Sequence, residues 1–408
     1  MPTSRTVALN LVTAVLAGVV CGVVAEVGLR LFYPAAERHH VLPPSTVQTM
    51  LPLEEHVSGV SGEARYATSS WGIRGPEFGE DGEYRILAIG GSTTQNTYLD
   101  QSETWTLLLG SELNEKASPP PTWTGDIGRS GHTAASHVLQ LRRVVPELPR
   151  IDAVVVLVGV NDLTVALRQG FDYRRPPPLD DPEELEARVR EAFIQVPGPL
   201  HRRVTQYQSE GVPAWKRLAL YQLAREARNR MRATFGGTGQ GRFGEVYEVW
   251  RSHRATAPEV LDTLPELAEP LDVYGGYLTR MARDAEDLGV RLVFMTQPVL
   301  WRADLSPEEE ARLWLGGTGD FQAEPGHAYY SAGSLRRAMD LYNARLVDVC
   351  AATSAECFDL AAALPSDTTV FYDDVHYTEA GARRVAELLA GYLAGLPPYA
   401  PESAPAGG

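Results

Sequence analysis

The sequence predicts an α/β fold built on a central parallel sheet, preceded by an N-terminal transmembrane helix and interrupted by a mainly helical insertion. Three observations carry that reading. Short apolar runs alternate with segments of helical period from Arg85 onward. An uncharged run, Val7 to Ala25, stands near the N-terminus. Between Phe171 and Glu269 the alternation lapses into a charged, helical stretch opened by Pro176-Pro177-Pro178.

The bulk numbers suit such a fold. The chain has 408 residues, 44% of them hydrophobic and 22% charged, which is a globular composition with enough length for a well-buried core. A formal net charge of -15 excludes nucleic acid as an expected partner, because a phosphate backbone is repelled at long range. No Cys/His cluster has metal-ligand spacing, so neither a metal nor a cofactor is expected. Of the three cysteines, Cys21 reads as an apolar packing residue, while Cys350 and Cys357 are spaced either for a short disulfide-closed loop or as two buried thiols.

The elements follow in chain order. At ~1.5 Å per residue, Val7–Ala25 reaches about 28 Å, which matches a hydrocarbon core of ~30 Å. An uncleaved signal anchor is the first reading for residues 1–35. A signal peptide cut after Val23-Val24-Ala25 and a buried core helix are the alternatives. Arg5 precedes the run, and Arg30 and Arg38 follow it, a balance that does not favour an N-in orientation. Residues 36–81 form a polar, Pro-containing lead-in to a main domain over 82–396. Within that domain Arg85–Ile89, Thr122–Ile127, Ala153–Val158, Arg291–Met295 and Glu356–Leu360 read as strands. Ala153–Val158 has the apolar density of a strand buried on both faces. Helices are expected around Trp105–Leu113, over Thr133–Val145 and over Glu379–Leu393. The insertion, at about 171–269, carries an apolar stripe of Leu220, Leu223, Ala224, Ala227 and Met231, and is expected to pack on the main domain as a lid or platform, or to form a small second domain. Residues 397–408 read as a disordered tail, and Gly239–Gly244, which fits a dinucleotide glycine pattern, as a flexible loop, since no strand precedes it.

Four short segments carry chemistry. Ser92 follows a strand and Gly90-Gly91, at the carboxyl edge where open α/β sheets place their sites. Gly131, in a loop leading into a helix, has a backbone N–H suited to a developing oxyanion. Asn161, at the end of the most apolar strand, offers a side-chain amide for the same purpose, or with Asp162 simply caps the next segment. His376 stands three residues after Asp373, so a tight turn brings a carboxylate to the ring that would take a proton from serine. Adjacent side chains tend to point apart, so only one of Asp373 and Asp374 is expected to meet that ring, and loss of Asp374 is expected to affect turnover mildly unless that carboxylate contacts substrate.

These segments, in this order from about Trp71 to Leu393, resemble the blocks of the SGNH/GDSL hydrolase family. The resemblance implies its three-layer fold, with Ser92 as nucleophile, His376 as base, Asp373 as third triad member, and an oxyanion hole of the Ser92 and Gly131 N–H groups with Asn161. Trp71–Gly75 and Met295–Pro298 resemble the membrane-anchored bacterial branch, which, together with the Cys350/Cys357 pair, places the catalytic domain outside the cytoplasm. Gly91 and Asp126 depart from the usual aspartate and asparagine, which bears on subfamily more than on activity. The expected function is hydrolysis of an O-acyl ester, acetyl included, on a carbohydrate or lipid. An O-acyltransferase working on a cell-surface glycan and a non-catalytic carbohydrate-binding protein are the alternatives. Trp301 and Trp314 are read as exposed aromatics available for binding, with core or interface packing as the alternative for each.

Overall fold

The computed structural model describes residues 4–32, 38–79, 82–116, 120–194, 220–221, 224 and 241–400. The chain divides into two compact units, residues 1–38 with 195–237, and 39–194 with 238–408. In the first, α1 (Ser4–Phe32) holds a window, Val12–Leu29, of mean hydropathy 2.2, none of it buried. It is long and apolar enough to cross a bilayer. Most of the expected Leu220–Met231 stripe lies outside the described residues; Leu220 and Ala224 are helical.

The second unit opens with β1 (Val47–Pro52) and β2 (Ala64–Ala67), then β3 (Tyr84–Gly90), α2 (Ser92–Gln95), α3 (Trp105–Lys116) and β4 (Thr122–Asp126). Next come α4 (Ala134–Arg143), β5 (Ala153–Leu157), α5 (Val160–Gln169) and α6 (Pro182–Ala192). They are followed by β6 (Gly241–Phe243), α7 (Glu245–Ala255), β7 (Val260–Leu261), α8 (Ala268–Leu288), β8 (Arg291–Met295), α9 (Pro307–Glu310) and β9 (Tyr329–Tyr330). The unit closes with α10 (Ala332–Ala352), β10 (Glu356–Phe358), α11 (Leu360–Ala363) and α12 (Glu379–Ala394).

The main sheet is five-stranded, in the order β10-β8-β5-β3-β4, and every pairing is parallel. The middle strand β5 is buried at every residue, as its unbroken run of apolar side chains requires. The chain moves outward from β3 to β4 and then steps back across the sheet through β5, β8 and β10. With right-handed crossovers this puts α3 on one face and α4, α8 and α10 on the other. The packing agrees: α3 packs with α12, and α8 with both α4 and α10. The fold is three-layered α/β.

Three regions differ from the sequence reading. The lead-in over 38–79 is folded: β1 pairs antiparallel with β2, and Val57, Val60 and Ile73 are fully buried. Gly241–Phe243, inside the stretch read as a flexible loop, is a strand on the other edge of β1, where its backbone groups find partners that a local pattern cannot reveal. The start of the expected disordered tail is also placed. Tyr399 is buried against Tyr84 and shares a 2.6 Å hydrogen bond with Thr122 Oγ1, while Arg291 donates to the Pro397 carbonyl at 2.7 Å. Cys350 and Cys357 are bridged, tying the end of α10 to β10.

Candidate active site

Ser92 begins α2 directly after β3, on a turn made by Gly90 and Gly91. A Cβ on Gly91 would stand 2.4 Å from the Asn161 amide nitrogen, so in this chain the glycine admits that amide beside the serine. The turn is braced from the lead-in. Arg74, with no exposed surface, donates from Nη1 to the Gln95 carbonyl and at 2.7 Å to that of Asn96, and from Nη2 at 2.7 Å to that of Leu99. Its guanidinium lies 4.5 Å from the centre of the Tyr66 ring. Gln95 and Asn96 end the helical turn that starts at Ser92, where carbonyls lack partners within the helix, and the Asn96 carbonyl also accepts the Leu99 N–H at 3.1 Å. Arg74 is thus a site-building residue that sequence reasoning missed. Its signal, Trp71–Gly75, is visible only as a family likeness.

Gly131 follows β4 and Asn161 follows β5, the strands on either side of β3, and hydrogen bonds join their loops. Gly131 takes φ +80°, a left-handed conformation that suits glycine. Asn161 Nδ2 donates to the His132 carbonyl at 2.8 Å, which leaves its second N–H to the cavity. Asp162 accepts the Ala134 N–H at 3.1 Å with each oxygen, so it caps α4 rather than the helix it belongs to. Upstream, Asp126 at the end of β4 accepts from the Gly128 N–H at 3.1 Å and the Thr106 hydroxyl at 3.0 Å. Burial pushes its carboxyl up to about 7 against the pull of Arg74. Behind this loop His132 and His137 are joined through Gln140, and burial pushes them down to about 3 and about 4, so both rings are neutral.

The fourth segment is a tight turn between Phe371 and Tyr377, closed by the Tyr372 N–H donating to the His376 carbonyl at 3.0 Å. Inside it Asp373 Oδ1 accepts the N–H groups of Val375 at 2.9 Å and His376 at 2.8 Å. This local motif is one aspartate readily forms. It turns Oδ2 toward the ring, 2.7 Å from His376 Nδ1, and His376 Nε2 lies 2.7 Å from Ser92 Oγ. Burial raises the Asp373 carboxyl, but the His376 ring and the donated hydrogen bonds outweigh it and hold Asp373 below the usual carboxylate range. Ser92, His376 and Asp373 form one continuous hydrogen-bonded chain at the carboxyl edge of the sheet, with Gly131 and Asn161 lining the same cavity.

Two expectations change here. Trp301 and Trp314 are not exposed; 1% and 6% of their surface is accessible. Trp301 Nε1 donates to Asp374 at 2.7 Å and Trp314 Nε1 to Asp373 at 2.9 Å. Asp374 does point away from His376, yet it is fully buried, and it also accepts the backbone N–H groups of Trp314 at 2.7 Å and Leu315 at 3.2 Å. It holds the loop that carries Trp314, so its loss is expected to lower stability, whatever its effect on turnover.

The cavity measures about 320 Å³. One wall is aromatic: Tyr247 and Trp250 of α7, Trp314, Tyr372 and Tyr98. Trp250 stacks on Trp314 with ring centres 4.4 Å apart, and Tyr372 lies nearly parallel to the His376 ring at 5.6 Å. The lining also includes Ser130, Thr164 and Arg168. Arg168 is paired with Asp320 at 2.6 Å. Of these aromatic residues only Trp314 was singled out from sequence, because the wall converges from four separate segments.

A parallel sheet with these groups at its carboxyl edge defines the class of α/β ester hydrolases. No curated protein matches the chain. The GDSL-like lipase/acylhydrolase family matches residues 88–384, so the chain belongs to that family and is an SGNH-type esterase. Among solved structures it is similar to an acetylxylan esterase from Geobacillus stearothermophilus, at 14% identity over 76% of this chain and 93% of that one, with a TM-score of 0.36. It is also similar to a carbohydrate acetylesterase from Sinorhizobium meliloti, at 11% identity over 77% and 99% of the two chains, with a TM-score of 0.37. An α/β hydrolase from the metagenome of Lake Arreo, Spain, gives 12% identity over 77% and 95%, with a TM-score of 0.36.

Proposed function

We propose that this esterase works through an acyl-enzyme on Ser92 and removes a short acyl group, such as acetyl, from a neutral carbohydrate ester. The observation that carries the mechanism is the unbroken chain Ser92 Oγ–His376 Nε2–Asp373, each link 2.7 Å. With Asp373 ionised and accepting from Nδ1–H, Nε2 is the acceptor for the serine proton. Oγ attacks the acyl carbonyl as its proton passes to Nε2. The alkoxide leaves with that proton, and water, deprotonated by the same nitrogen, cleaves the acyl-serine to the carboxylic acid. The N–H groups of Ser92 and Gly131 and the free amide N–H of Asn161 receive the oxyanion.

The lining supports the substrate class. Aromatic faces beside hydroxyl and amide side chains (Thr97, Ser130, Thr164, Gln322) suit a sugar ring better than a long acyl chain, and the paired Arg168 presents no unbalanced charge. For location, α1 and the Cys350–Cys357 bridge support a single-helix anchor with the catalytic domain in an oxidising, extracytoplasmic compartment. The test is fluorophosphonate labelling together with acetate release from acetylated oligosaccharides, with and without a glycan acceptor. Wild type is expected to label and release acetate, and Ser92→Ala to do neither. Turnover by Ser92→Ala within about tenfold of wild type rejects the nucleophile, because losing one costs many orders of magnitude. Acyl transfer to the acceptor in place of release identifies a transferase.

A further inference from the structure

Resting on the triad reading above, we infer that Trp314 is a positioning residue for that triad: its indole N–H fixes the Asp373 carboxylate that orients His376, while its ring forms part of the cavity wall. Four donors saturate Asp373. Two are backbone N–H groups of its own turn, on Oδ1, and two share Oδ2: His376 Nδ1 at 2.7 Å and Trp314 Nε1 at 2.9 Å. The turn supplies the first three within itself. Among the described residues only the fourth comes from outside the turn, so it adds to the hold of the two Oδ1 bonds and ties the carboxylate to a separate segment of the chain. Trp314 is itself held by the neighbouring carboxylate, since Asp374 accepts its backbone N–H at 2.7 Å and that of Leu315 at 3.2 Å. Asp374 is pinned in turn by Trp301 Nε1 at 2.7 Å. Each of the two adjacent buried aspartates is therefore capped by an indole, and only one of the pair touches the histidine.

The chemical consequence follows from sharing one oxygen. An N–H donated to a carboxylate stabilises its charge and weakens it as an acceptor for a second donor. Removing the indole N–H leaves Oδ2 to the imidazole alone, so the imidazolium keeps its proton to higher pH while the carboxylate is less well aimed. The other ionisable groups facing Asp373 and His376 are the hydroxyls of Tyr98, Tyr247 and Tyr372, the carboxyl of Asp374, and the guanidinium groups of Arg251 and Arg254 beyond them. None of these is altered by a change confined to the indole nitrogen. Because the Trp314 ring stacks on Trp250, a substrate lying on that wall bears on the residue that aims the triad.

The experiment uses full-length, detergent-solubilised protein with phenyl acetate as substrate. Two replacements are made at position 314: Trp314→Phe, and the tryptophan analogue benzothienylalanine, which keeps the ring shape and lacks the N–H. The analogue protein is expected to lose about tenfold in kcat with KM within about twofold, and the acid limb of kcat/KM to move up by about half a pH unit. Trp314→Phe is expected to move the limb the same way. If that variant fails to fold, the analogue alone decides. An analogue protein with kcat and acid limb both at wild-type values overturns the assignment, as does a fall in kcat with the limb unmoved, which makes the ring rather than its N–H the important part. Ser92→Ala, run alongside, separates the two levels. If Ser92→Ala still turns over phenyl acetate, the triad reading beneath fails; if it is inactive and the analogue is unchanged, only the role of Trp314 fails.

Discussion

Replacing Asn161 with alanine separates two uses of one amide. Its nitrogen donates one N–H to the His132 carbonyl at 2.8 Å, and the second N–H is free for the oxyanion. The first use is present in the resting protein and the second, the proposed one, would arise only during reaction, so they appear in different measurements. Loss of an oxyanion donor raises the barrier by about 3–4 kcal/mol, a fall of ~10²–10³ in kcat, while KM barely moves because the charge develops after binding. Loss of the tether leaves the carbonyl of the buried His132 without this donor, at a cost of about 1–2 kcal/mol in folding stability. The assay is steady-state hydrolysis of p-nitrophenyl acetate, followed by a denaturant titration of the same protein samples. Both effects are expected together. An unchanged kcat with a raised KM would refute the oxyanion assignment and make Asn161 a ground-state binding residue. An unchanged kcat with lowered stability would reduce Asn161 to the His132 tether.

The two aspartates should separate in the same manner: Asp373→Asn is expected to lower kcat by up to ~10⁴, since it disturbs the tautomer of His376. Asp374→Asn turns one amide N–H toward a buried N–H donor and is expected chiefly to lower stability, by about 1–3 kcal/mol; a larger kcat loss in that variant, with both proteins folded, reverses the assignment. Removing residues 1–37 should release active enzyme from the membrane fraction, whereas removing 1–81 should abolish activity because Arg74 goes with it; an active 82–408 fragment contradicts the bracing role of that arginine. Protease added outside the cell is expected to digest the catalytic domain, and protection from it refutes the proposed orientation. Asp126 supplies a pH test. Its folded-state pKa, raised to about 7, lies above the ordinary value of 3.8, so the folded protein holds a proton that the unfolded chain has lost. Between about pH 4 and 7 this group therefore makes stability fall as pH rises, by at most about 1.4 kcal/mol per pH unit. Asp126→Asn, with Thr106 able to accept from the amide, should remove that part of the slope; melting curves from pH 4 to 7.5 with the same slope in both proteins contradict the raised pKa.

The sequence by itself determined what is local or periodic. An unbroken apolar run marked β5, uncharged residues marked α1, and Asp373 three residues before His376 gave an aspartate turn whose geometry is set within a few residues. Ser92, Gly131, Asn161 and His376 were legible because each follows a strand or leads into a helix, and a parallel sheet collects such positions along one edge. What the sequence left open depends on residues that meet only after folding. Arg74 shows in the sequence only inside the Trp71–Gly75 likeness, and its role appears when the carbonyls of Gln95, Asn96 and Leu99 close around it. Gly241–Phe243 has no strand pattern of its own and is a strand because β1 offers it an edge. For Trp301 and Trp314 the sequence left binding and core packing both open, since nothing nearby in sequence can satisfy an indole N–H. Their partners, Asp374 and Asp373, lie 73 and 59 residues further along the chain. Side-chain burial and hydrogen-bond pairing over such separations are fixed by packing rather than by local pattern, so only the tertiary structure could assign them.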